Sequence, residues 1–196
     1  GSIRTATFTP TAGLASGTAI ITVATASYTD AAGNVGSAGS SPSISIDTLA
    51  PTVTVSSNVS AVKIGETAAL TFTFSEDPGA SFTNADVTVS NGTLNTITGS
   101  GLTRIATFTP TPGSASSTAS ITVATASYTD LAGNVGGGAS RNISIDMLAP
   151  TVTVSSNVSA VKIGETATLT FTFSEDPGTS FTNADVTVSN GTLNTI

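Results

Sequence analysis

Cysteine, histidine and tryptophan are absent from the 196 residues of this chain. Without thiols or imidazoles it has none of the usual Cys/His zinc ligand sets and no Ser–His or Cys–His nucleophile pair. No disulfide can staple it, so it is held together by packing or by hard cations on carboxylates. Charge is scarce as well: five bases stand against 12 acids, a net charge of −7. Five scattered bases do not neutralise a run of phosphates, which argues against a nucleic-acid partner. With no basic face or amphipathic helix, the chain is equally unsuited to a membrane surface. No apolar run approaches the roughly 20 residues of a membrane-spanning helix, so membrane insertion is not expected.

What remains is apolar, small and β-branched. Hydrophobic residues make up 38% of the chain, too much for a disordered tail. Threonine, stiff at χ1, favours strands. No window shows apolar residues at 3.6-residue spacing, so no helix is expected beyond a short turn.

The chain repeats itself. Residues Ala50 to Ile97 recur as Ala149 to Ile196 and differ only at Ala69/Thr168 and Ala80/Thr179. The segment from Ala6 recurs from Ala106, sharing ATFTPT, ITVATASYTD, AGNVG and ISID. A period of about 99 residues suits a β-sandwich domain. The segments are the back half of one repeat (1–46), a complete repeat (47–146) and the front half of the next (147–196). Gly1 aligns with Gly99, and Gly1–Ser2 reads equally well as a cloning scar.

Alternation between turn residues predicts seven strands in the complete repeat: Thr52–Ser56, Thr67–Ser75, Asp86–Ser90, Thr93–Ile97, Thr103–Thr109, Thr118–Thr129 and Asn142–Asp146. The inward set is Val53, Val55, Leu70, Phe72, Phe74, Val87, Val89, Phe108, Ile121, Val123, Ile143 and Ile145. Tyr128 falls out of phase with Ile121 and Val123, which predicts a bulge between them. Seven short strands with such turns point to an all-β, immunoglobulin-like Greek-key sandwich, repeated in tandem.

Several motifs together carry a family resemblance. They are D-T-x-A-P-T-V-T-V at Asp47–Val55, G-E-T at Gly65–Thr67, T-F-T-F-S-E at Thr71–Glu76, A-T-F-T-P at Ala106–Pro110 and S-Y-T-D-x-A-G-N at Ser127–Asn134. In this combination the chain resembles the bacterial Ig-like tandem repeats of giant cell-surface adhesins and biofilm-associated proteins. The resemblance implies a surface or secreted location, a spacer or adhesive role and, often, calcium at domain junctions.

The few acids are unevenly placed. In a seven-stranded sandwich the second-to-third and sixth-to-seventh strand loops share one pole, where the preceding linker also arrives. Asp47 of the linker, Glu76 and Asp77 of the first loop and Asp130 of the second form a candidate calcium set, because Ca²⁺ takes six to eight oxygens. Asp146, Glu175 and Asp176 are the equivalent set downstream, and Glu66 can approach a junction from the other pole. The plainer alternative is that these are solvated turn acids, with Asp130 in an Asx-turn. Adjacent Glu76 and Asp77 do not face one another across a substrate as glycosidase carboxylates do, so no enzyme is expected. The Thr-x-Thr runs, the three N-x-S/T triplets of the complete repeat at Asn58, Asn91 and Asn142, and Gly136–Gly138 all have ordinary explanations in strands and turns.

Two functions stay open: a mechanical spacer, favoured by near-identical repeats with small polar loops, and a repeat that itself grips a glycan or protein. The two half-repeats, unable to bury their apolar faces alone, are expected to be completed by neighbouring copies through head-to-tail strand complementation, which places Ile196 near Gly1 of the next copy. A two-repeat window on a continuous fibre gives the same proximity.

Overall fold

The structure, a computed structural model, describes residues 2–114 and 117–196. Gly1, and with it the expected proximity to Ile196 of a neighbour, lies outside the described residues. The chain divides into two compact units, one ending at Met147 and the other running from Leu148 to Ile196.

Within the first unit, residues up to Asp47 contain four short strands: β1 (Gly17–Ala19), β2 (Thr22–Val23), β3 (Gly39–Ser40) and β4 (Ile44–Ile46). β1 pairs antiparallel with β4 and β2 with β3. Residues 2–10 form no strand.

The complete repeat follows with β5 (Val53–Ser57), β6 (Ala61–Lys63), β7 (Ala68–Phe74), β8 (Val87–Val89), β9 (Gly92–Leu94), β10 (Thr103–Pro110), β11 (Ser117–Val123) and β12 (Ala139–Asp146). One sheet has the order β5-β7-β10-β9 and the other β6-β12-β11-β8. All their pairings are antiparallel except β6 with β12, which is parallel. This is the expected sandwich, with one strand the sequence reading did not include. β6 has a single inward apolar residue, Val62, too little for an alternation to register.

Alternation places Leu70, Phe72 and Phe74 of β7 and Phe108 of β10 against Ile121, Val123, Ile143 and Ile145 of the other sheet, all buried. Ala68, Ala106 and Ala119 fill the positions between them, where small side chains let larger neighbours interdigitate. Val55, Val87 and Val89, expected inside, are half-buried and pack on the rim of the core. Phe82 and Tyr128, absent from the expected core, extend it: the Tyr128 ring stands edge-on to Phe74 at 5.3 Å and to Phe82 at 5.7 Å.

The strand expected over Thr118–Thr129 stops at Val123, and the irregularity before Tyr128 is larger than a one-residue bulge. Ala126 takes a left-handed φ of 61°. Its N–H donates to Gly136 O at 2.8 Å while the Gly136 N–H donates to Tyr128 O at 2.8 Å, so two extra residues are inserted. That step turns Tyr128 inward over Gly136, where any Cβ would collide with the ring. A 3₁₀ turn at Asn84–Asp86 precedes β8, capped by Thr83 and Asp86.

The second unit holds β13 (Val152–Ser156) and β14 (Leu169–Phe173), paired antiparallel in the register of β5 with β7. It also has 3₁₀ turns at Gly178–Ser180 and Asn183–Asp185.

Candidate metal site

Three acids from distant parts of the first unit converge. Asp47 lies in the linker after β4, Glu76 in the loop after β7, and Asp130 where the chain re-enters the sandwich after Tyr128. One carboxylate oxygen from each lies within 4.8 Å of the others. Asp130 is buried, and the other two are half-buried.

Local sequence sets Asp130. Its Oδ1 accepts the N–H groups of Ala132 and Asn134, both at 2.9 Å, and its Oδ2 accepts from Asn134 Nδ2 at 2.9 Å. Burial pushes this carboxyl up, but the Asn134 side chain and the turn N–H groups outweigh it and hold the group below the usual aspartate value. Asn134 Nδ2 also lies 3.3 Å from both the carbonyl oxygen and Oδ1 of Asp47, tying the linker to the loop. Asn134 stands four residues after Asp130 in the quoted D-x-A-G-N motif, but reading that motif as an Asx-turn alone hid its second role.

Glu76 is the strained member. Burial, then the negative charges of Asp47 and Asp130, push its carboxyl above the ordinary glutamate value. Its Oε2 is buried with no hydrogen-bond partner. A buried carboxylate oxygen facing other carboxylates is satisfied either by a proton held against Asp130 or by a cation. The geometry fits a cation: two oxygens each 2.3–2.6 Å from one Ca²⁺ can stand no more than about 5 Å apart. Main-chain carbonyls and water would supply the remaining oxygens.

Asp77 is not brought into this group. Its Oδ1 accepts the Gly79 N–H at 2.9 Å and faces Arg104 Nη2 at 3.2 Å. The Gly79 N–H, opposed by burial and then reinforced by Arg104, holds its carboxyl below the usual value. Arg104, itself buried, also donates to Gly79 O and Gly101 O, both at 2.8 Å. Asp77 therefore clamps the loop that presents Glu76. Glu66 accepts the Lys63 N–H at 3.2 Å within its own turn. Asp146 ends β12 in the first unit. In the second unit Glu175 is half-buried, and Asp176 Oδ1 accepts the Gly178 N–H at 2.8 Å.

No described helix is long and apolar enough to cross a membrane. The family model described as bacterial Ig-like domain matches three consecutive stretches, residues 1–46, 47–147 and 146–196. No curated protein and no solved structure matches the chain.

Proposed function

The chain belongs to the bacterial Ig-like domain family, and we propose that it is a non-catalytic stretch of the stalk of an extracellular bacterial surface adhesin, stiffened by calcium between repeats. The observation that carries this reading is the convergence of the linker acid Asp47 on Glu76 and Asp130 of the repeat it enters, around an orphaned Glu76 oxygen. An ion held by these three would bind the linker to two loops at one pole and limit bending there. Loops of a ligand-gripping repeat would present free polar groups. Here Asp77 is engaged by Arg104, and Asp130 by Asn134. The half-repeats fit the same role, each completed by the complementary half of a neighbouring copy.

The test is thermal unfolding of the 196-residue chain in calcium and in chelator. At a calcium concentration about 100 times the dissociation constant, the expected gain is about 2.7 kcal/mol. Superimposed curves would leave a proton, and not calcium, on Glu76. Specific capture of the chain on a glycan array would favour direct binding over the spacer.

A further inference from the structure

In the loop after β7, residues 75, 77, 79 and 81 are each tied to the sandwich. Ser75 donates its N–H to Thr52 O at 3.0 Å, and its Oγ accepts the Thr52 N–H at 2.8 Å. Arg104 Nη2 donates to Asp77 Oδ1 at 3.2 Å and to Gly79 O at 2.8 Å. Gly79 takes a left-handed φ of 55°, and an added Cβ would meet Leu131 at 2.8 Å. Ser81 Oγ accepts the Thr129 N–H at 3.1 Å, which joins this loop to the one that carries Asp130. Glu76 stands between the first two ties, one residue from each.

Arg104 falls in the inward phase of β10 with Ala106 and Phe108 and is 6% exposed. A buried guanidinium costs free energy unless its donors are matched. The loop matches them, and Gly101 O and Thr103 O complete the set. None of these hydrogen bonds goes to Asp47, Glu76 or Asp130. Glu76, meanwhile, is held where charge would expel it. Its Oε2 is buried without a hydrogen-bond partner, and its carboxylate lies within 4.8 Å of those of Asp47 and Asp130. A loop free to move would relieve that repulsion by swinging Glu76 into water. With Ser75 and Asp77 pinned, it has little freedom to do so.

We infer that Arg104 is a positioning residue for the three-acid site: through Asp77 and Gly79 it holds Glu76 against Asp47 and Asp130, so that the site is assembled before an ion arrives. This rests on the reading of those acids as a calcium site and extends it to a residue that touches none of them. Preorganisation of this kind strengthens binding by removing the cost of gathering the ligands. Charge and position predict opposite signs for Arg104. As a nearby cation it repels Ca²⁺, so its removal would tighten binding if charge were all it contributed. As the anchor of the loop it is needed, and its removal weakens binding.

Calorimetric titration of the 196-residue chain with calcium tests this on Arg104→Met, Asp77→Ala and Asp77→Asn. Arg104→Met and Asp77→Ala should each raise the dissociation constant about 10- to 100-fold, as loss of a residue that orients metal ligands does. Asp77→Asn gives up the same charge as Asp77→Ala but keeps an oxygen for the Gly79 N–H and Arg104, so it should recover most of the affinity. No binding by the original chain would overturn the calcium reading and this inference together. If the original chain binds, equal or tighter binding by Arg104→Met, unchanged binding by Asp77→Ala, or an Asp77→Asn as weak as Asp77→Ala would overturn the positioning role alone. Should circular dichroism in chelator show that Arg104→Met does not fold, the two Asp77 variants decide, since both keep Arg104.

Discussion

Tyr128 is 1% exposed, and Tyr28, its counterpart one repeat earlier, is 54% exposed. Val53 is 6% exposed and Val152 48%. The surrounding sequence is nearly the same in each case, so the difference comes from whether the other half of the sandwich is present. Local devices survive without it. Asp30 accepts from Ala32 N–H at 2.9 Å and Asn34 N–H at 2.8 Å, as Asp130 does from Ala132 and Asn134. Thr182 and Asp185 cap their 3₁₀ turn as Thr83 and Asp86 cap theirs. What disappears is what needs the other half of the sandwich, including the strand over residues 3–10 and the burial of Tyr28, while the β1–β4 and β13–β14 pairings made within one half persist. Turns, caps and the strand pairs made within one half form without the rest, while the closed core belongs to the whole sandwich.

The largest test of that contrast is a matched pair of truncations. Phe72→Ala should destabilise the complete repeat by about 3–5 kcal/mol, since it opens a cavity in a closed core. Phe171→Ala should leave the urea midpoint of the complete repeat unchanged, because it removes a ring already half in water. Equal losses from the two would mean that the front half is as tightly packed as the complete repeat.

A smaller effect separates the halves by pH. Asp77 and Asp130 have lowered carboxyl pKa values in the fold, so their stabilisation is full above the ordinary aspartate value and is lost as pH falls through the lowered ones. Glu76 is raised, so the folded state holds its proton more tightly. That contribution is present at low pH and is lost as pH rises from the ordinary glutamate value through the raised one. In chelator, the complete repeat should show both limbs, and Glu76→Gln should abolish only the second. Asp30, lowered by the Asn34 side chain and turn N–H groups, has no glutamate beside it in its own half and should titrate with the acid limb alone by NMR. If the second limb persists in Glu76→Gln, the three-acid cluster is not its source.

The smallest expected effect uses the substitutions that distinguish the copies. Ala69 and Ala80 are exposed, so Ala69→Thr and Ala80→Thr should each move the stability of the complete repeat by no more than about 0.5 kcal/mol. A larger shift in equilibrium denaturation would mean that the front halves are not interchangeable.

Much of the sandwich was legible because its strands alternate and its repeat period is plain. The inward phase of Leu70, Phe72 and Phe74 follows from spacing two. The displaced phase of Tyr128 signalled an irregularity, though not its two inserted residues or the left-handed Ala126. β6 was illegible because three residues with one apolar side chain carry no period, and its partner β12 lies some 80 positions away. At the site, loop order placed Asp47, Glu76 and Asp130 at one pole. It could not separate Glu76 from Asp77, since adjacent residues share a loop and only the reach of Arg104, 27 residues along, pulls one of them aside.

The parallel pairing of β6 with β12 has a mechanical consequence. The chain enters the complete repeat at Pro51, beside the loop that carries Gly137, and leaves at Met147, beside Ser114. A pull on those two points drags β6 and β12 in opposite directions along their shared axis. Ala61, Val62 and Lys63 sit against Ser144, Ile145 and Asp146, so their hydrogen bonds are loaded in shear and must give way together instead of unzipping singly. Single-molecule stretching would register this as a high, abrupt rupture force, and a low, gradual opening would place the resistance elsewhere. In a stalk under flow, these three pairs would hold after β5, nearer the pulled end, has been stripped from β7, and so set the last resistance before the repeat lengthens.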